Sequence, residues 1–463
     1  MPVHFGAGPF AISPYLQLGE TGNVADAEVV WGTTARSAKW TLQSKVGQGP
    51  WSAPAEVAEP ARISVQGIDP FLLYHCVLPG GIPANGQDWW YRILVNGKQV
   101  FEAAGTPLHA DGEQFRFDVI GDTASGTPGQ KAIACALWQL SKPEMLLIAG
   151  DIVYMHGRLS EYVASYFPIF NADTVSANGV PMARSTIFIA SPGNHDTARG
   201  AIGESSDLSL FPDGLAFYEV FRQPLDGPRL SAAGPNVPNV RGGSLQVDSF
   251  KRAAGQSFPR IGNFSYDYGN AHFVILDANL YMNWLDPALR RWLDDDLKNA
   301  SKATWKFVMF HQPPFNCDLH HYDEQQMRLV ADIFQQNHVD IVFSGHVHNY
   351  QRTRPLSFTL TKQSGGDSSL AEDHTVQGTF DIDRNFDGEK NTKPHGVIYV
   401  ITGCGGASLV EADSPDFVNK VQQFTEKIMP LFSYTQCDIN GKNLLVQQID
   451  PTGKVLDKFQ ISK

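Results

Sequence analysis

Short apolar runs rich in β-branched and aromatic residues dominate the first hundred positions, and Gly, Pro and Asn-Gly separate them. Examples are "DAEVVWGTT", "SAKWTLQ", "ARISVQGI", "LYHCVLPG" and "WWYRILVNGKQVF". Such runs are typical of short strands, and the Asn-Gly pair within residues 95–98 is the signature of a tight hairpin. We therefore expect a small antiparallel β-sandwich, followed at residues 106–113 by a short linker.

From about residue 112 the pattern changes to strands that alternate with amphipathic helices. The predicted strands are "FRFDVIGD", "EMLLIAGD", "RSTIFIASPGNHD", "AHFVILDAN", "WKFVMFH" and "VDIVFSGHVH". The predicted helices are "QKAIACALWQL", "LRRWLDDDLKNA" and "DEQQMRLVADIFQQN". This alternation is typical of an α/β domain, in which ligand sites form beyond the carboxyl ends of the strands.

The pattern divides the chain into a domain at 1–110 and a second domain at 111–463. A long Gly/Pro-rich insertion occupies residues 199–261. Long irregular segments are often lids or binding loops, although a covering loop without substrate contact is an equal alternative. The chain ends in "SYTQCDINGKNLLVQQIDPTGKVLDKFQIS", which predicts two strands around the Asn-Gly pair and a further turn at "DPTGK".

Composition narrows the functional classes. Of the 463 residues, 42% are hydrophobic and 18% are charged, which is ordinary for a folded protein. The net charge is −12 and the basic residues form no cluster, which argues against sequence-independent binding to nucleic acid. No apolar stretch approaches the roughly 20 residues that span a bilayer.

The cysteines and the N-terminus bear on the compartment. Five scattered cysteines never form CxxC, so a thiolate zinc site and a disulfide framework are both disfavoured, although one bridge remains possible. The N-terminal segment lacks the basic and apolar regions of a signal peptide. We expect a secreted or periplasmic protein whose leader is absent from this sequence, and a cytoplasmic protein is the alternative.

Polar residues with metal-binding potential follow five of the predicted strands. They are Asp122, Asp151, Tyr154, Asn194, His195, His311, His346 and His348. Each alone has an ordinary explanation, since an Asp after Gly is usually a turn or helix cap and a lone His is usually a hydrogen-bonded rim residue. Together, at one edge of one sheet, they predict a metal site.

The donor types indicate which metals fit. Carboxylate, amide, imidazole and phenol groups without thiolate suit Fe, Mn or Zn. Even without His195, seven donors are too many for one tetrahedral ion. With one bridging carboxylate they fit two ions roughly 3.5–4 Å apart, an arrangement that serves in-line displacement at phosphorus and lowers the pKa of bound water to about 7.

Five blocks of sequence resemble those of the purple acid phosphatases, members of the calcineurin-like metallophosphoesterase superfamily. They are "GDT" (121–123), "GDIVY" (150–154), "GNHD" (193–196), "VMFH" (308–311) and "GHVH" (345–348). The resemblance extends from about residue 112 onward, and the N-terminal region is similar to the fibronectin type III-like domain of the plant-type members. It implies an αββα sandwich of two mixed sheets flanked by helices, preceded by an all-β domain.

The resemblance also implies a ligand set. It places Asp122, Asp151, Tyr154 and His348 on Fe(III), and the tyrosinate would give the protein its colour. Asp151 would bridge to a divalent ion (Fe, Zn or Mn) that Asn194, His311 and His346 also hold. A tyrosine after the second Gly-Asp block distinguishes the purple acid phosphatases from most other metallophosphoesterases.

Two further histidines lie nine and ten residues after His311. Taken alone, His320 and His321 would be read as part of a solvated loop. The resemblance instead makes His321 the general acid for the leaving group, whereas His195 and His320 bind phosphate oxygens. Histidine suits proton transfer at mildly acidic pH, and Glu324 could orient His321 or raise its pKa.

The chain departs from the family pattern in three places. The first block reads "GDTASG", Gln351 stands where plant-type members usually have Glu, and "HQPPF" replaces a more polar sequence after His311. A separate stretch, "DIDRNFDGEKN" (381–391), resembles the start of a calcium loop. Its twelfth position is Pro394 instead of Glu, so an acidic surface loop is the favoured interpretation.

We expect a phosphomonoesterase that acts on small phosphorylated substrates by attack of a metal-bound hydroxide. A phosphodiesterase or a nucleotide or phytate hydrolase on the same site is the enzymatic alternative. A non-catalytic metal-binding scaffold is a further alternative, although such scaffolds tend to lose ligands. The sequence does not define the oligomeric state, the substrate or the second metal.

Overall fold

In a computed structural model of the chain, the described residues are 3–6, 8–34, 38–123, 125–197, 206–361, 374–411 and 423–463. The N-terminal region forms two four-stranded antiparallel sheets, ordered β1-β2-β6-β5 and β4-β3-β7-β8. Their strands are β1 (Ile12–Gln17), β2 (Glu28–Thr33), β3 (Trp40–Val46), β4 (Ala55–Glu56), β5 (Ala61–Ile63), β6 (Phe71–Val77), β7 (Trp89–Val95) and β8 (Lys98–Gly105).

Aromatic side chains join these two sheets into a sandwich. The rings of Trp31 and Tyr74 from the first sheet stack at 5.5 Å, and Trp40 from the second lies 5.8 Å from Trp31. Between β7 and β8, Asn96 and Gly97 take φ angles of 51° and 80°. These positive angles define the tight hairpin that the Asn-Gly pair predicts.

The sandwich is attached to the rest of the chain by hydrogen bonds at its strand edges. The Tyr15 hydroxyl donates to the Val220 carbonyl at 2.7 Å, and the Tyr91 hydroxyl donates to the Arg184 carbonyl at 2.9 Å. Both side chains are buried, so these bonds satisfy polar groups that would be costly to leave unpaired.

The remaining residues form an α/β region. Its strands are β9 (Gln114–Ile120), β10 (Met145–Ala149), β11 (Ile187–Ser191), β12 (Ser206–Asp207), β13 (Val240–Arg241), β14 (Phe264–Tyr268), β15 (Ala271–Ile275), β16 (Trp305–Met309), β17 (Ile341–Ser344), β18 (Tyr350–Thr353), β19 (Leu356–Leu360), β20 (Gly378–Ile382), β21 (Ile398–Thr402), β22 (Thr425–Met429), β23 (Tyr434–Asn440), β24 (Asn443–Ile449) and β25 (Val455–Ser462). The helices are α1 (Pro128–Ala136), α2 (Leu159–Glu161), α3 (Phe167–Phe170), α4 (Asn194–Thr197), α5 (Phe217–Val220), α6 (Ser244–Ala254), α7 (Ser257–Arg260), α8 (Pro287–Asn299) and α9 (Ala331–Gln336).

Two mixed sheets face each other in this region. One has six strands in the order β11-β10-β9-β23-β24-β25, and the other has seven in the order β14-β15-β16-β17-β21-β18-β22. The ring of Phe117 on β9 lies 5.1 Å from the rings of both Phe273 and Phe307 on the opposite sheet. The predicted αββα arrangement of two mixed sheets is confirmed.

Helices cover the outer faces of the sheets. On β9, Phe117 and Val119 point between the sheets, whereas Ile120 packs with Ile133 of α1 on the outer face. This is the two-residue alternation of a strand that is buried on both faces. On the other sheet, α8 buries Leu289, Leu293 and Leu297.

Two sequence predictions need correction. The metal-binding residues do not follow strands of a single sheet, because β9, β10 and β11 belong to one sheet and β16 and β17 to the other. The predicted helix at "DEQQMRLVADIFQQN" is a 3₁₀ turn, Gln326–Val330, followed by the short α9. Hydrophobic periodicity does not assign strands to sheets.

All five cysteines lie among the described residues and none of them forms a disulfide bridge. Among the described residues, no helix combines the length and the apolar character needed to cross a bilayer.

Candidate metal centre

The loops after three strands hold a predicted ligand in the left-handed backbone region. Asp122 after β9, Asp151 after β10 and His346 after β17 have φ angles of 58°, 49° and 71°. A residue other than Gly in this region costs on the order of 1–3 kcal/mol unless its surroundings fix it, and such positions concentrate at functional sites. The backbone at these strand ends is therefore shaped to present the three side chains.

Asp122, Tyr154 and His348 form a first group of donors. The Tyr154 hydroxyl donates to Asp122 Oδ1 at 3.0 Å and lies 3.1 Å from His348 Nε2. His348 Nε2 is 3.3 Å from the same carboxylate oxygen. Three side chains from three different loops thus direct an oxygen or nitrogen at one point.

Asp151, Asn194, His311 and His346 form a second group. His311 Nε2 lies 3.1 Å from Asn194 Oδ1 and 3.3 Å from Asp151 Oδ2. It also lies 3.3 Å from His346 Nδ1. The ligand atoms of Asp151, His311 and His346 are all within 4.8 Å of one another, and all three residues are buried.

Asp151 connects the two groups electrostatically. Burial opposes its ionisation, but His311 and then His195 outweigh burial and hold the pKa of the carboxyl well below its usual range. The same carboxylate acts on Tyr154 and His348 of the first group. A bridging role requires a carboxylate whose charge reaches both groups, and Asp151 meets this condition.

Three of the other donors, His311, His348 and Tyr154, hold their protons when carboxylates are their only counter-charges. Burial lowers the pKa of His311, but Asp151 outweighs it and raises the pKa to about 10. His348 behaves likewise, because its hydrogen bond to Asp122 overcomes burial and raises the pKa to about 9. Burial and then Asp122 raise the pKa of Tyr154 well above its usual value. Protons occupy positions that cations would take, so metal binding releases protons here.

Backbone carbonyls fix the histidine rings. His311 Nδ1 donates to the Ala149 carbonyl and His348 Nδ1 donates to the Ser408 carbonyl, each at 2.8 Å. Because a carbonyl oxygen only accepts hydrogen bonds, Nδ1 of each ring carries a hydrogen and Nε2 is the atom available to a metal ion. This arrangement is typical of metal-ligating histidines. Together with a set of oxygen and imidazole donors without thiolate, it fits Fe, Mn or Zn ions.

Three histidines are predicted to bind or protonate the substrate, and two of them lie against the donor groups. His195 Nδ1 donates to the Met155 carbonyl at 2.8 Å, and its Nε2 lies 3.8 Å from Asp151 Oδ2. The ring of His321 lies 4.1 Å from that of His346. His320 is exposed, and its backbone N–H donates to Asp318 Oδ1 at 3.0 Å.

Glu324 lies beside His321, in the orienting position that the sequence predicts. Its Oε1 lies 3.0 Å from His321 Nδ1. Burial lowers the pKa of His321, but the hydrogen bond and the charge of Glu324 outweigh it and raise the pKa. His321 is therefore held in a form that can donate a proton.

Asp196 and Gly193 take part in the site, a role that the sequence pattern did not predict. The fully buried Asp196 carboxylate accepts the Gly193 N–H at 2.9 Å and the Ile152 N–H at 3.2 Å, which joins two ligand loops. A Cβ on Gly193 would lie 2.1 Å from Asp151 Oδ1. Both residues stand inside the "GNHD" block, so their position in that motif was the available signal.

The insertion contacts the loop that carries Tyr154. The ring of Phe211 stacks on His156 at 3.9 Å, and Asp213 accepts a 2.7 Å hydrogen bond from Arg158 Nε. Residues 199–205 of the insertion lie outside the described residues. A role as a lid or a substrate-binding loop stays a prediction.

The departure at Gln351 and the calcium-like stretch at 381–391 both have local structural explanations. Gln351 is buried, and its Oε1 accepts the Cys317 N–H at 2.8 Å. In the calcium-like stretch, Asp383 and Asp387 accept backbone N–H groups of their own loop. Among the described residues, these carboxylates belong to no group of donors close enough to hold a metal. This agrees with an acidic surface loop.

An αββα sandwich with oxygen and imidazole donors gathered at its strand ends defines the metallophosphoesterase class. Residues 115–350, just over half of the chain, match the family described as calcineurin-like phosphoesterase. The chain belongs to this family, and the matched range contains every predicted site residue. The predicted membership is confirmed.

The chain is also similar to acid phosphatases. It is 27% identical over 218 residues to acid phosphatase type 7 of Mus musculus, covering 42% of this chain and 44% of that protein. It is 38% identical over 103 residues to purple acid phosphatase 23 of Arabidopsis thaliana, covering 21% of this chain and 22% of that protein. The matches thus span less than half of the length of these relatives. Similarity to purple acid phosphatases implies a dinuclear metal centre.

Solved structures confirm the fold. A purple acid phosphatase from yellow lupin (Lupinus luteus) seeds, PPD1, aligns with a TM-score of 0.64 at 17% identity, covering 98% of this chain and 75% of that one. The structure of PhoD aligns with a TM-score of 0.57 at 12% identity, covering 98% and 93%. At these identities the likeness concerns the fold alone.

Proposed function

We propose that the protein is a phosphomonoesterase with a dinuclear metal centre at the ends of β9, β10, β11, β16 and β17. The position of Tyr154 is the observation that carries this proposal. Its hydroxyl lies 3.0 Å from Asp122 and 3.1 Å from His348, where it can serve as a ligand together with both. A tyrosine in this position separates a purple acid phosphatase site from a general metallophosphoesterase site.

The donors divide between two ions. Asp122, Tyr154 and His348 would hold Fe(III), whereas Asn194, His311 and His346 would hold a divalent ion, with Asp151 shared. When bound, the two ions would polarise the phosphate and lower the pKa of a water molecule for attack on phosphorus. The mixture of oxygen and nitrogen donors supports Fe, Zn or Mn in the second position.

The histidines around the centre would bind and protonate the substrate. His195 keeps Nδ1 on the Met155 carbonyl, so Nε2 is the atom available to a phosphate oxygen. His321 keeps Nδ1 towards Glu324 at 3.0 Å, so the proton that it gives to the leaving oxygen is on Nε2. His320, exposed on the same loop, would bind a second phosphate oxygen. General acid catalysis of this kind contributes roughly 10²–10⁴-fold to the rate.

Elemental analysis with a visible absorption spectrum tests the proposal. We expect two ions per chain, one of them iron, and a tyrosinate-to-iron band that disappears in Tyr154→Phe. Tyr268→Phe is the matched control, because Tyr268 is a buried tyrosine hydrogen-bonded to the carboxylate of Glu144. This variant should keep the band.

Rates on para-nitrophenyl phosphate and its bis-ester test the reaction class. We expect the monoester to be hydrolysed faster, and Asp151→Asn or His311→Ala should lose metal and activity together. A faster rate on the bis-ester would identify a phosphodiesterase instead. Turnover by metal-depleted protein, or less than one ion per chain with no turnover, would contradict the proposal.

A further inference from the structure

His320 and His321 lie on irregular backbone, between the end of β16 and the 3₁₀ turn Gln326–Val330. No strand or helix fixes the direction of their side chains. A proton donor must nevertheless lie within hydrogen-bond distance of the leaving oxygen, and a displacement of about 1 Å can cost about 10²-fold in rate. The loop itself therefore has to supply the orientation.

Asp318 supplies the contacts that shape this loop. Its Oδ1 accepts the N–H of His320 and the N–H of His321, each at 3.0 Å. The side chain is buried, since only 3% of the residue is exposed. One carboxylate oxygen thus fixes the backbone of both histidines, and hydrogen bonds to an ionised acceptor are roughly twice as strong as neutral ones.

The two residues that precede Asp318, Asn316 and Cys317, also secure the loop. Asn316 Oδ1 accepts the Asp318 N–H at 3.0 Å, and Asn316 Nδ2 donates to the His321 carbonyl at 3.1 Å. The Cys317 N–H donates to Gln351 Oε1 at 2.8 Å. Gln351 lies on β18, directly after the segment that carries His346 and His348. The loop is therefore fixed relative to the ligand loop by side-chain hydrogen bonds.

We propose that Asp318 is a positioning residue for the reaction, because it holds the backbone from which His320 and His321 reach the substrate. The inference rests on the proposed function and goes beyond it, since Asp318 is neither a metal donor nor a group that touches substrate. It accounts for a buried carboxylate whose two backbone bonds go to the two histidines assigned to the phosphate and to the leaving group.

Substrates with different leaving groups distinguish misplacement of the two histidines from a nonspecific loss of activity. Departure of para-nitrophenolate needs little help from an acid, whereas departure of an alkoxide depends on protonation. Asp318→Ala should lower kcat for an alkyl phosphate by about 10–100-fold, and kcat for para-nitrophenyl phosphate by less than about 3-fold. It should also raise the inhibition constant of inorganic phosphate, because His320 moves with the same backbone.

Two further variants complete the test. Asp318→Asn keeps an oxygen acceptor without the charge, so its kcat on the alkyl phosphate should lie between those of wild type and Asp318→Ala. Where the Ala variant fails to fold, a reduced kcat of Asp318→Asn on the alkyl phosphate alone tests the inference. Asp323→Asn makes the same change at an exposed position of the same loop and should behave as wild type. All variants should retain wild-type metal content by elemental analysis.

Several results would overturn the inference. Equal losses on both substrates, loss of metal from Asp318→Asn, or unchanged kinetics in Asp318→Ala would each do so while the wild type remains active. A wild type without activity on any phosphate ester would instead contradict the proposed function, and this inference with it. The two failures are therefore distinguishable.

Discussion

The carboxylate of Glu324 lies against a predicted metal ligand, with its Oε2 3.0 Å from Nε2 of the buried His346. The other carboxylate oxygen is 3.0 Å from His321 Nδ1. Burial raises the pKa of Glu324, but His346 and then His321 outweigh it and hold the pKa well below its usual range. One ionised carboxylate thus connects the proposed general acid to the metal centre.

Glu324→Gln should therefore weaken the metal centre as well as the acid. Removing the carboxylate partner of a ligating histidine typically costs about 10–100-fold in metal affinity. We expect the variant to lose one of its two ions at a lower chelator concentration than wild type does. Its rate on alkyl phosphates should also fall further below the wild-type rate than its rate on aryl phosphates. Elemental analysis at several chelator concentrations measures the first effect.

Glu389→Gln is the matched control, because Glu389 is exposed on a distant loop. It should retain both ions at the same chelator concentration as wild type. Equal metal retention by Glu324→Gln and wild type would show that the contact with His346 does not support the ligand.

The sequence predicts which polar side chains converge because each of them stands at or shortly after the end of a recognisable strand. Gly-Asp, Gly-Asn-His and Gly-His-x-His follow apolar runs, and the carboxyl ends of strands are where α/β folds place ligands. Tyr154 and His348 could be assigned to one group from the family resemblance, and the structure brings them to 3.1 Å.

The contacts that support the donors could not be predicted, because they join segments far apart in the chain. Gln351 and Cys317 are separated by 34 positions, and Glu324 reaches His346 across an irregular loop. Periodicity does not report such pairs, nor does it reveal that β9 and β16 belong to different sheets. A glycine such as Gly193 gives no local sign of the side chain that it must accommodate.

Gly193→Ala should disrupt the shared carboxylate. A Cβ at this position would lie 2.1 Å from Asp151 Oδ1 and 2.3 Å from the Asp151 backbone nitrogen, so Asp151 has to move. Because Asp151 is placed between both donor groups, we expect loss of at least one ion and a fall in activity of about 10²-fold or more. Elemental analysis and kinetics on para-nitrophenyl phosphate measure these effects.

The control for this variant is Gly8→Ala, where an added Cβ would meet no atom within 4 Å. It should leave metal content and rate unchanged. Full metal content and wild-type activity in Gly193→Ala would contradict the assignment of Asp151 as the shared ligand.

The pairing of His272 with two carboxylates predicts a pH-dependent contribution to stability far from the metal centre. Its Nδ1 lies 2.7 Å from Asp267 and its Nε2 lies 3.0 Å from Asp296. Burial lowers the pKa of His272, but the hydrogen bonds to Asp267 and Asp296 outweigh it and raise the pKa from 6.5 to about 9. The stabilisation is present below pH 6.5 and is lost as the pH rises through about 9.

His272→Gln should therefore lower the free energy of unfolding by about 2–3 kcal/mol at pH 6, and by much less at pH 9.5. Denaturant unfolding at the two pH values measures the difference. His395→Gln, a change at an exposed histidine, should have little effect at either pH. A destabilisation of His272→Gln that is the same at both pH values would show that the ion pairs do not depend on protonation of the ring.

Asp118 has the opposite effect to His272, because it is a buried acid whose ionisation destabilises the fold. It lies on β9 with no exposed surface, and among the described residues neither carboxylate oxygen has a hydrogen-bond partner. Burial raises the pKa of Asp118 from 3.8 to about 8, and the nearby Ser141 hydroxyl and then the charge of Arg116 only partly oppose it. Because the folded state holds the proton more tightly than the unfolded state, stability falls as the pH rises from about 4 to about 8.

Asp118→Asn should remove this dependence, since the amide cannot ionise. We expect the variant to be more stable than wild type by about 2 kcal/mol or more at pH 8, and nearly equal to it at pH 4.5. Asp323→Asn is the exposed control and should match wild type at both pH values. Denaturant unfolding curves across this range measure the effect, and a variant less stable than wild type at pH 8 would mean that the Asp118 carboxylate is stabilised in the fold.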